Sequence, residues 1–406
     1  MKKICLEHLE PGMVLAKNVP GADGTVFLAA GTAIEPDHIE ALANLGAGAV
    51  YVTPLPTPAE EEQDLLRRAN SHVRKFFQYV DPDCDAFVEL FRISVQRVLD
   101  KAASGWELPC ESDLEAKSVE HMRDLFYKGR GTVEDLVQHE TSLASFPDIY
   151  YRIKEVLDSP SSSADTISKV VGTDLGLSAK LLKLVNSPVF GFATTIDSVS
   201  HAISLIGTRE LCQLALGIST INFFKDIPPE LIDMKSFWRH SLSCGVFAKL
   251  LAGLMGLKTE RFFTAGMLHD AGKLIMFKNM PYASVQALLY ARGNTVPMMD
   301  AELEIFDFNH CAVADVLLAE WKFPAELKDM IVGHHDPLAA PTPLDAAVIQ
   351  LADNMANATD IAGGGMFVLP GMSPGARELL NIDSSKLAGI VQTHDRNIDE
   401  VTAVFL

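Results

Sequence analysis

A mainly α-helical chain with a small β-rich domain at its N-terminus is what the sequence predicts. Three observations predict it. Apolar residues recur at steps of three and four through most of the chain from Leu65 onward. Alternating patterns and tight-turn signals are confined to the first 55 residues. Breaks at Pro56-Thr57-Pro58 and Gly129-Arg130-Gly131 separate the stretches. A chain of 406 residues has room for two or three domains and an ample core. The expected boundaries are a β-rich domain over 1–55, a helical connector over 56–130 and an all-helical domain over 131–406.

In the first of these, Leu9 to Val19 alternates like a strand around a Pro11-Gly12 turn. Ala22-Asp23-Gly24 is a tight-turn signal ahead of Thr25-Val26-Phe27-Leu28. Ile39, Leu42 and Leu45 share one face of a short helix from Pro36, Gly46 closes it, and Val50-Tyr51-Val52 is a last strand. In the connector, Glu60-Glu61-Glu62 places acids in a first helical turn, where the helix dipole favours them. Leu65, Val73, Phe76, Phe77 and Val80 mark one helix, Ala86 to Leu99 a second, and residues 113–128 a third. Such a connector can pack as a bundle or pair two chains, so a homodimer through it is an expected partner arrangement.

The third region opens with helix punctuation. Asp165-Thr166-Ile167-Ser168 reads as an N-cap before an apolar helix, and Asn186-Ser187-Pro188 stops the next. Asp197 or Ser198 caps a helix holding Val199, Ala202, Ile203 and Ile206, which Gly207 ends. These are structural signals without chemistry. Gly363-Gly364-Gly365 and Pro370 to Pro374 mark a late loop region with no phosphate-cradle context.

The chemistry lies further on. His269 and Asp270 sit in the otherwise apolar run Ala265 to Ile275. A buried carboxylate without a partner either costs several kcal/mol or takes up a proton, so such a pair points to a cation. His240 shares an apolar helical face with Phe237, Cys244, Phe247, Leu251 and Leu254. His310 opens another buried pattern, and His334 and His335 end the pattern Leu327, Met330, Ile331. Asp353 shares a face with Ala346, Ile349 and Ala356. Each residue alone has an ordinary reading: a hydrogen-bonded core histidine, an Asp270 that caps a helix or pairs with Lys273, a surface turn at His334-His335. Together, several helices each aim an imidazole or carboxylate inward. That donor set suits iron, manganese or zinc, and not calcium.

The composition sets limits. A formal charge of −19 argues against generic nucleic-acid or anionic-membrane binding. The six cysteines, at 5, 84, 110, 212, 244 and 311, include no C-x-x-C pair and read as free thiols in a reducing compartment. No secretory signal or long uncharged apolar run is evident, so a cytoplasmic location without membrane insertion is expected.

The order His, His-Asp, His, His-His, Asp resembles the HD superfamily of metal-dependent phosphohydrolases. The closer resemblance is to the HDOD domain, the HD-related output domain of bacterial signalling proteins, from about Thr132 to the C-terminus. Leu143-Ala144-Ser145-Phe146-Pro147-Asp148 is similar to that family's entry, and Ile167 to Leu177, Leu181 to Phe190 and Ile196 to Gly207 are similar to its next elements. Glu320-Trp321-Lys322-Phe323-Pro324 is similar to its tryptophan–proline step. The resemblance divides the region into a leading helical module, 131–225, and an HD-like half, 226–406. The N-terminal domain resembles the small domain often found ahead of HD-GYP cyclic-dinucleotide phosphodiesterases, and reads as a regulatory or docking module.

Two functions then compete. The resemblance to HDOD implies a signal-transduction regulator that relays its state by binding a signalling protein or a nucleotide second messenger, without catalysis. The alternative is a metal-dependent phosphodiesterase or phosphohydrolase acting on a cyclic dinucleotide or another nucleotide. There, His240, His269, Asp270 and Asp353 hold one metal, His310, His334 and His335 complete a second position, and Asp270 and Lys273 are the catalytic candidates. HD-GYP enzymes carry a glycine–tyrosine–proline motif soon after the paired histidines. Here His335 is followed by Asp336-Pro337-Leu338-Ala339-Ala340-Pro341-Thr342-Pro343, without it. That departure favours the non-catalytic reading at the level of sequence.

Overall fold

The computed structural model describes residues 2–21, 25–53, 58–106, 132–143, 148–159, 163–224, 232–360 and 368–405. The expected turn at Ala22-Asp23-Gly24, the helix at 113–128, the segment 144–147 and the glycines 363–365 lie outside them. The chain divides into two compact units, Met1–Arg68 and Ala69–Leu406.

The first unit is β-rich, as expected. Strands β1 (Lys2–Cys5), β2 (Val14–Leu15), β3 (Val19–Pro20), β4 (Val26–Leu28) and β5 (Ala49–Thr53) surround one helix, α1 (Pro36–Asn44). Antiparallel pairing gives a three-stranded sheet in the order β1-β5-β2, with Ile4 opposite Val50, and a separate β3–β4 ribbon. The expected strand from Leu9 to Val19 is instead two short pieces. Gly12 turns through a positive φ of 96°, and the chain changes sheets between Leu15 and Val19. Leu15, Ile34, Leu42 and Val52 close a small core of their own.

The second unit is helical throughout its described residues. It takes α2 (Pro58–Phe76, which begins in the first unit), α3 (Asp85–Ala103), α4 (Val133–Leu143), α5 (Asp148–Asp158), α6 (Ala164–Gly172), α7 (Leu175–Val185), α8 (Val199–Ile206) and α9 (Thr208–Phe223). It continues with α10 (Met234–Leu254), α11 (Glu260–Leu268), α12 (Ala271–Asn279), α13 (Pro281–Asn294), α14 (Met298–Phe306), α15 (His310–Glu320) and α16 (Ala325–Val332). It closes with α17 (Pro343–Thr359), α18 (Pro374–Leu380) and α19 (Leu387–Phe405). The helix caps follow side-chain chemistry. Ser198 caps α8 by accepting from the His201 amide. Ser163, and not Asp165, caps α6, while Asp165 in the first turn pairs with Lys169 four residues on.

Helix α10 is the axis of this unit, packing on α11, α17 and α19. Its apolar face stops one turn short of the expected end, since Leu254 is 47% exposed. Glycines bring the α10–α11 crossing close. A Cβ on Gly266 would come within 2.8 Å of Gly245 Cα, and one on Gly245 within 2.7 Å of the Phe263 carbonyl. A side chain at either position would force the helices apart and separate His240 from His269. Gly272 does the same for α12 and α15, where a Cβ would run into the carbonyl of His310. Helix α3, read as connector, packs against α17 and α19 as part of this unit's core. Ser94 donates to the Ala358 carbonyl at 2.8 Å and Arg97 to the Thr359 carbonyl at 2.8 Å. Among the described residues, no helix is long and apolar enough to cross a membrane.

Candidate metal centre

Five elements deliver side chains to one buried place. His240 comes from the second turn of α10 and Asp353 from the middle of α17. His269 and Asp270 occupy the junction of α11 and α12, His310 is the first residue of α15, and His334 and His335 follow α16. Asp270 stands at the N-cap of α12 but makes no side-chain cap hydrogen bond, so its carboxylate is free for other work. His269 and His310 are 0% exposed, as is His334.

The imidazoles are oriented from behind. His269 Nδ1 lies 2.7 Å from the Gly266 carbonyl and His334 Nδ1 2.6 Å from the Ile331 carbonyl. A carbonyl only accepts, so both Nδ1 atoms carry the proton and both Nε2 atoms face the centre. His310 Nδ1 donates to Glu302 Oε2 at 2.6 Å, and the His310 backbone amide donates to the same oxygen at 2.9 Å. This is how metal-binding histidines are commonly oriented.

In front, the donor atoms converge. His240 Nε2 is 3.1 Å from Asp353 Oδ1 and 3.4 Å from His269 Nε2. Asp270 reaches both ways, with Oδ2 3.3 Å from His269 Nε2 and Oδ1 3.5 Å from His310 Nε2. His335 Nε2 lies 3.2 Å from His310 Nε2. Asp270 Oδ1 and His334 Nε2 are buried and have no hydrogen-bond partner. Converging lone pairs and orphaned buried acceptors are costly unless a cation meets them. The grouping is threefold: His240, His269 and Asp353; His269, Asp270 and His334; His310, Cys311, His334 and His335. These groups could hold a divalent transition metal, and their nitrogen and oxygen donors fit iron, manganese or zinc. Cys311 belongs to the third group but approaches His334 from the Nδ1 side. Its sulfur is 3.7 Å from His334 Nδ1, the ring edge already committed to the Ile331 carbonyl, so it lies behind the ring.

The electrostatics are tightly coupled. Burial alone would lower the His269 pKa, but the Asp270 carboxylate, with hydrogen bonds to Asp270 and Asp353, outweighs it and holds the ring well above its ordinary value. Burial likewise opposes the ionised form of Asp270, yet the charges of His269 and Lys273 hold its carboxyl well below the usual range. Asp353 is also held well below, its burial outweighed by hydrogen bonds from His240 and His269. His310 is raised to about 10 against its burial, chiefly by Glu302. His335 goes the other way, pushed well below its ordinary value by burial and by its neighbours His334 and His310. Since the Nδ1 atoms of His269 and His310 are already occupied, their titrating protons sit on Nε2. Protons and cations therefore compete for one place, and metal uptake should release protons and weaken in acid.

The structure thus brings together all seven residues expected as ligands, and Lys273 Nζ sits 2.8 Å from Asp270 Oδ2. Glu302 is a residue the sequence reading missed. It is 1% exposed, and its signal was an acid at the step Met298, Glu302, Phe306. Asn357, one turn after Asp353, donates to Asp353 Oδ1 at 2.7 Å and was missed likewise. Glu302→Ala is expected to weaken metal retention about 10–100-fold, with Glu302→Gln closer to wild type. Metal content across a chelator series measures this. Retention unchanged in Glu302→Ala would show that His310 needs no orienting partner.

A pocket of about 230 Å³ adjoins the centre, lined by Lys273 and His335 together with Tyr79, Pro297, Met298, Met299, Asp300, Pro370 and Gly371.

Comparison with known proteins agrees with this architecture. Residues 143–337 match the model of the HDOD domain. An uncharacterized protein of Treponema pallidum (strain Nichols) is 23% identical over 201 residues, which make up 49% of this chain and 39% of that protein. The match thus spans about two fifths of the relative's length. The structure of a candidate phosphohydrolase from Shewanella amazonensis SB2B is similar with a TM-score of 0.53 at 20% identity, covering 67% of this chain and 98% of that one. A candidate signal-transduction protein from Marinobacter aquaeolei VT8 gives a TM-score of 0.51 at 18% identity, over 69% of this chain and 62% of its own. At these identities the likeness to the two structures is one of fold. Residues 143–337 of the second unit are therefore similar to the HDOD domain, and the unit shares its fold with the two structures.

Proposed function

We propose that the protein is a metal-dependent phosphohydrolase acting on a small phosphate ester. One observation carries this reading. The donor cluster adjoins a pocket whose lining includes its member His335 and Lys273, the partner of Asp270, neither of them fully buried. A buried polar network kept only to shape a core would not need that access.

His240, His269, Asp353 and Asp270 would hold one divalent cation and His310, His334, His335 and Asp270 a second, with Asp270 shared between them. Cations there would supply Lewis acidity toward a phosphoryl oxygen and toward water. The chain's own groups do the rest. Lys273, kept cationic by Asp270 despite its burial, meets the charge that gathers on the phosphoryl oxygens. Asp270, fixed at 2.8 Å, keeps the ammonium from swinging away. Glu302 holds the His310 ring in register. His335, held neutral, keeps its Nε2 as an acceptor beside His310 Nε2.

The pocket's size bears on substrate. At about 230 Å³ it lies below the roughly 300–1,000 Å³ usual for sites of drug-sized ligands. It suits one phosphate and one small group better than a cyclic dinucleotide. The stretch after His335 supports this, since only the short 3-10 turn Pro337–Ala339 precedes α17.

The HDOD match favours a second reading, in which the domain binds a signalling protein or a nucleotide second messenger and relays a state without turnover. One experiment separates the two. Full-length protein loaded in turn with iron, manganese and zinc is assayed against p-nitrophenyl phosphate, bis(p-nitrophenyl) phosphate and a cyclic dinucleotide. Multiple turnovers of a small ester, lost in His269→Ala, are expected, with the cyclic dinucleotide left intact. No turnover with any metal or ester would sink the hydrolase and leave the relay.

A further inference from the structure

The pocket beside the metal centre has an outer wall that lies outside the HDOD match. Tyr79 belongs to the turn between α2 and α3, and Pro370 and Gly371 to the segment before α18. Exposure separates depth from mouth: the Lys273 side chain is 12% exposed, whereas Tyr79 is 44% exposed.

That turn is held from several directions. The Leu369 amide donates to the Phe76 carbonyl at 2.8 Å. Gln78 Nε2 donates to the Thr295 carbonyl, and Arg377 pairs with Asp81. Gly371 backs directly onto Tyr79, because a Cβ there would come within 2.7 Å of the Tyr79 carbonyl. An aromatic side chain left half in water on a backbone pinned this firmly is a preorganised platform. Met298 and Met299 line the same pocket, and thioethers adapt their shape to a flat ring and make favourable contacts with aromatic groups.

We propose that Tyr79 is a specificity-determining residue that stacks on a planar ring carried by the phosphate ester, with Met298 and Met299 lining the same cleft. The preferred substrates are then aryl or heteroaryl phosphates, the phosphate end at Lys273 and His335 and the ring at the mouth. This rests on the phosphohydrolase reading and adds to it the chemical class of the group beyond the phosphate. The ring is chosen by a residue that the HDOD module itself does not supply.

Binding of two non-hydrolysable probes to the metal-loaded full-length protein tests it by calorimetry. Phenylphosphonate carries the ring and methylphosphonate does not. Phenylphosphonate is expected to bind about tenfold tighter, the scale of one base–aromatic stack. Tyr79→Leu, which keeps apolar bulk without a π face, should abolish that preference and leave methylphosphonate binding unchanged. Tyr79→Phe should retain it. Because Tyr79 is exposed, these variants should keep the wild-type thermal transition. If Tyr79→Leu does not fold, Met299→Ala serves in its place and should reduce the same preference. Equal affinities for the two probes in the wild type, or a preference that survives Tyr79→Leu, overturn the proposal alone. Failure of both probes to bind metal-loaded protein overturns the phosphohydrolase reading, and this proposal with it.

Discussion

Asp270→Asn should lower turnover of a small phosphate ester by about 10²–10³-fold and strip metal from the protein. The expectation follows from the two-sided placement of one carboxylate. Its Oδ2 meets Lys273 at 2.8 Å and His269 at 3.3 Å, while its Oδ1 looks toward His310 at 3.5 Å with no hydrogen-bond partner. An amide has one acceptor oxygen where the carboxylate has two. Whichever way it turns, its NH₂ group points at an imidazole Nε2 or at the Lys273 ammonium. The donor set that would hold a cation loses one of its oxygens, and Lys273 keeps its charge with a weakened partner. Breaking a buried ion pair by removing one member costs about 3–5 kcal/mol, so the melting temperature should also fall. Metal content separates the two effects, because a merely destabilised protein still binds metal in the cold. Full metal occupancy and undiminished turnover in Asp270→Asn would end the assignment of a shared carboxylate.

What could be read from the sequence, and what could not, divides along a physical line. His240, His269, His310, His334, His335, Asp270 and Asp353 were visible because each lies within or at the edge of an apolar pattern, and a polar group there needs a partner. Glu302 obeys the same rule on α14 but lies in a helix with Asp300 and Glu304 beside it, and their exposed charges hide it. The lack of a glycine–tyrosine–proline motif after His335 is legible only through the resemblance to HD-GYP enzymes, and its meaning turned on tertiary structure. Without the pocket, the short loop argued against catalysis; beside the pocket, it argues for a smaller substrate. Tyr79 carries no sequence signal of function. It is an aromatic near the end of an amphipathic pattern, and only the pairing of Phe76 with Leu369, far along the chain, brings it to the mouth of the site. Capping was legible in kind but not in place, as Ser163 shows, since several polar residues in a row offer the same hydrogen bond.

The extent of the folding unit follows from the core and gives the other large effect. A chain beginning at residue 69 should unfold in one cooperative transition, and a chain beginning at residue 130 should not. The sequence alone marks a composition break near Gly129-Arg130-Gly131, which invites a cut there. The segment 69–106 nevertheless places Val73, Phe76, Phe77, Val80, Phe87, Leu90, Val95 and Val98 in the same buried cluster as α10 and α17. Each buried apolar side chain of this kind contributes about 1.5–3 kcal/mol. Even discounted for a compact unfolded chain, their sum is comparable with the whole net stability of a domain, about 5–15 kcal/mol. The polar contacts add to it. Removing α3 deprives the end of α17 of the hydrogen bonds that Ser94 and Arg97 make to Ala358 and Thr359, and α19 of the 2.6 Å ion pair between Arg97 and Asp395. Helix α17 carries Asp353, so the loss would reach the metal centre as well as the core. Circular dichroism melts of the two chains, with metal content measured on each, decide it. A chain beginning at 130 that melts cooperatively near the full-length temperature and still binds metal would show that α3 is an accessory to this core and not a part of it.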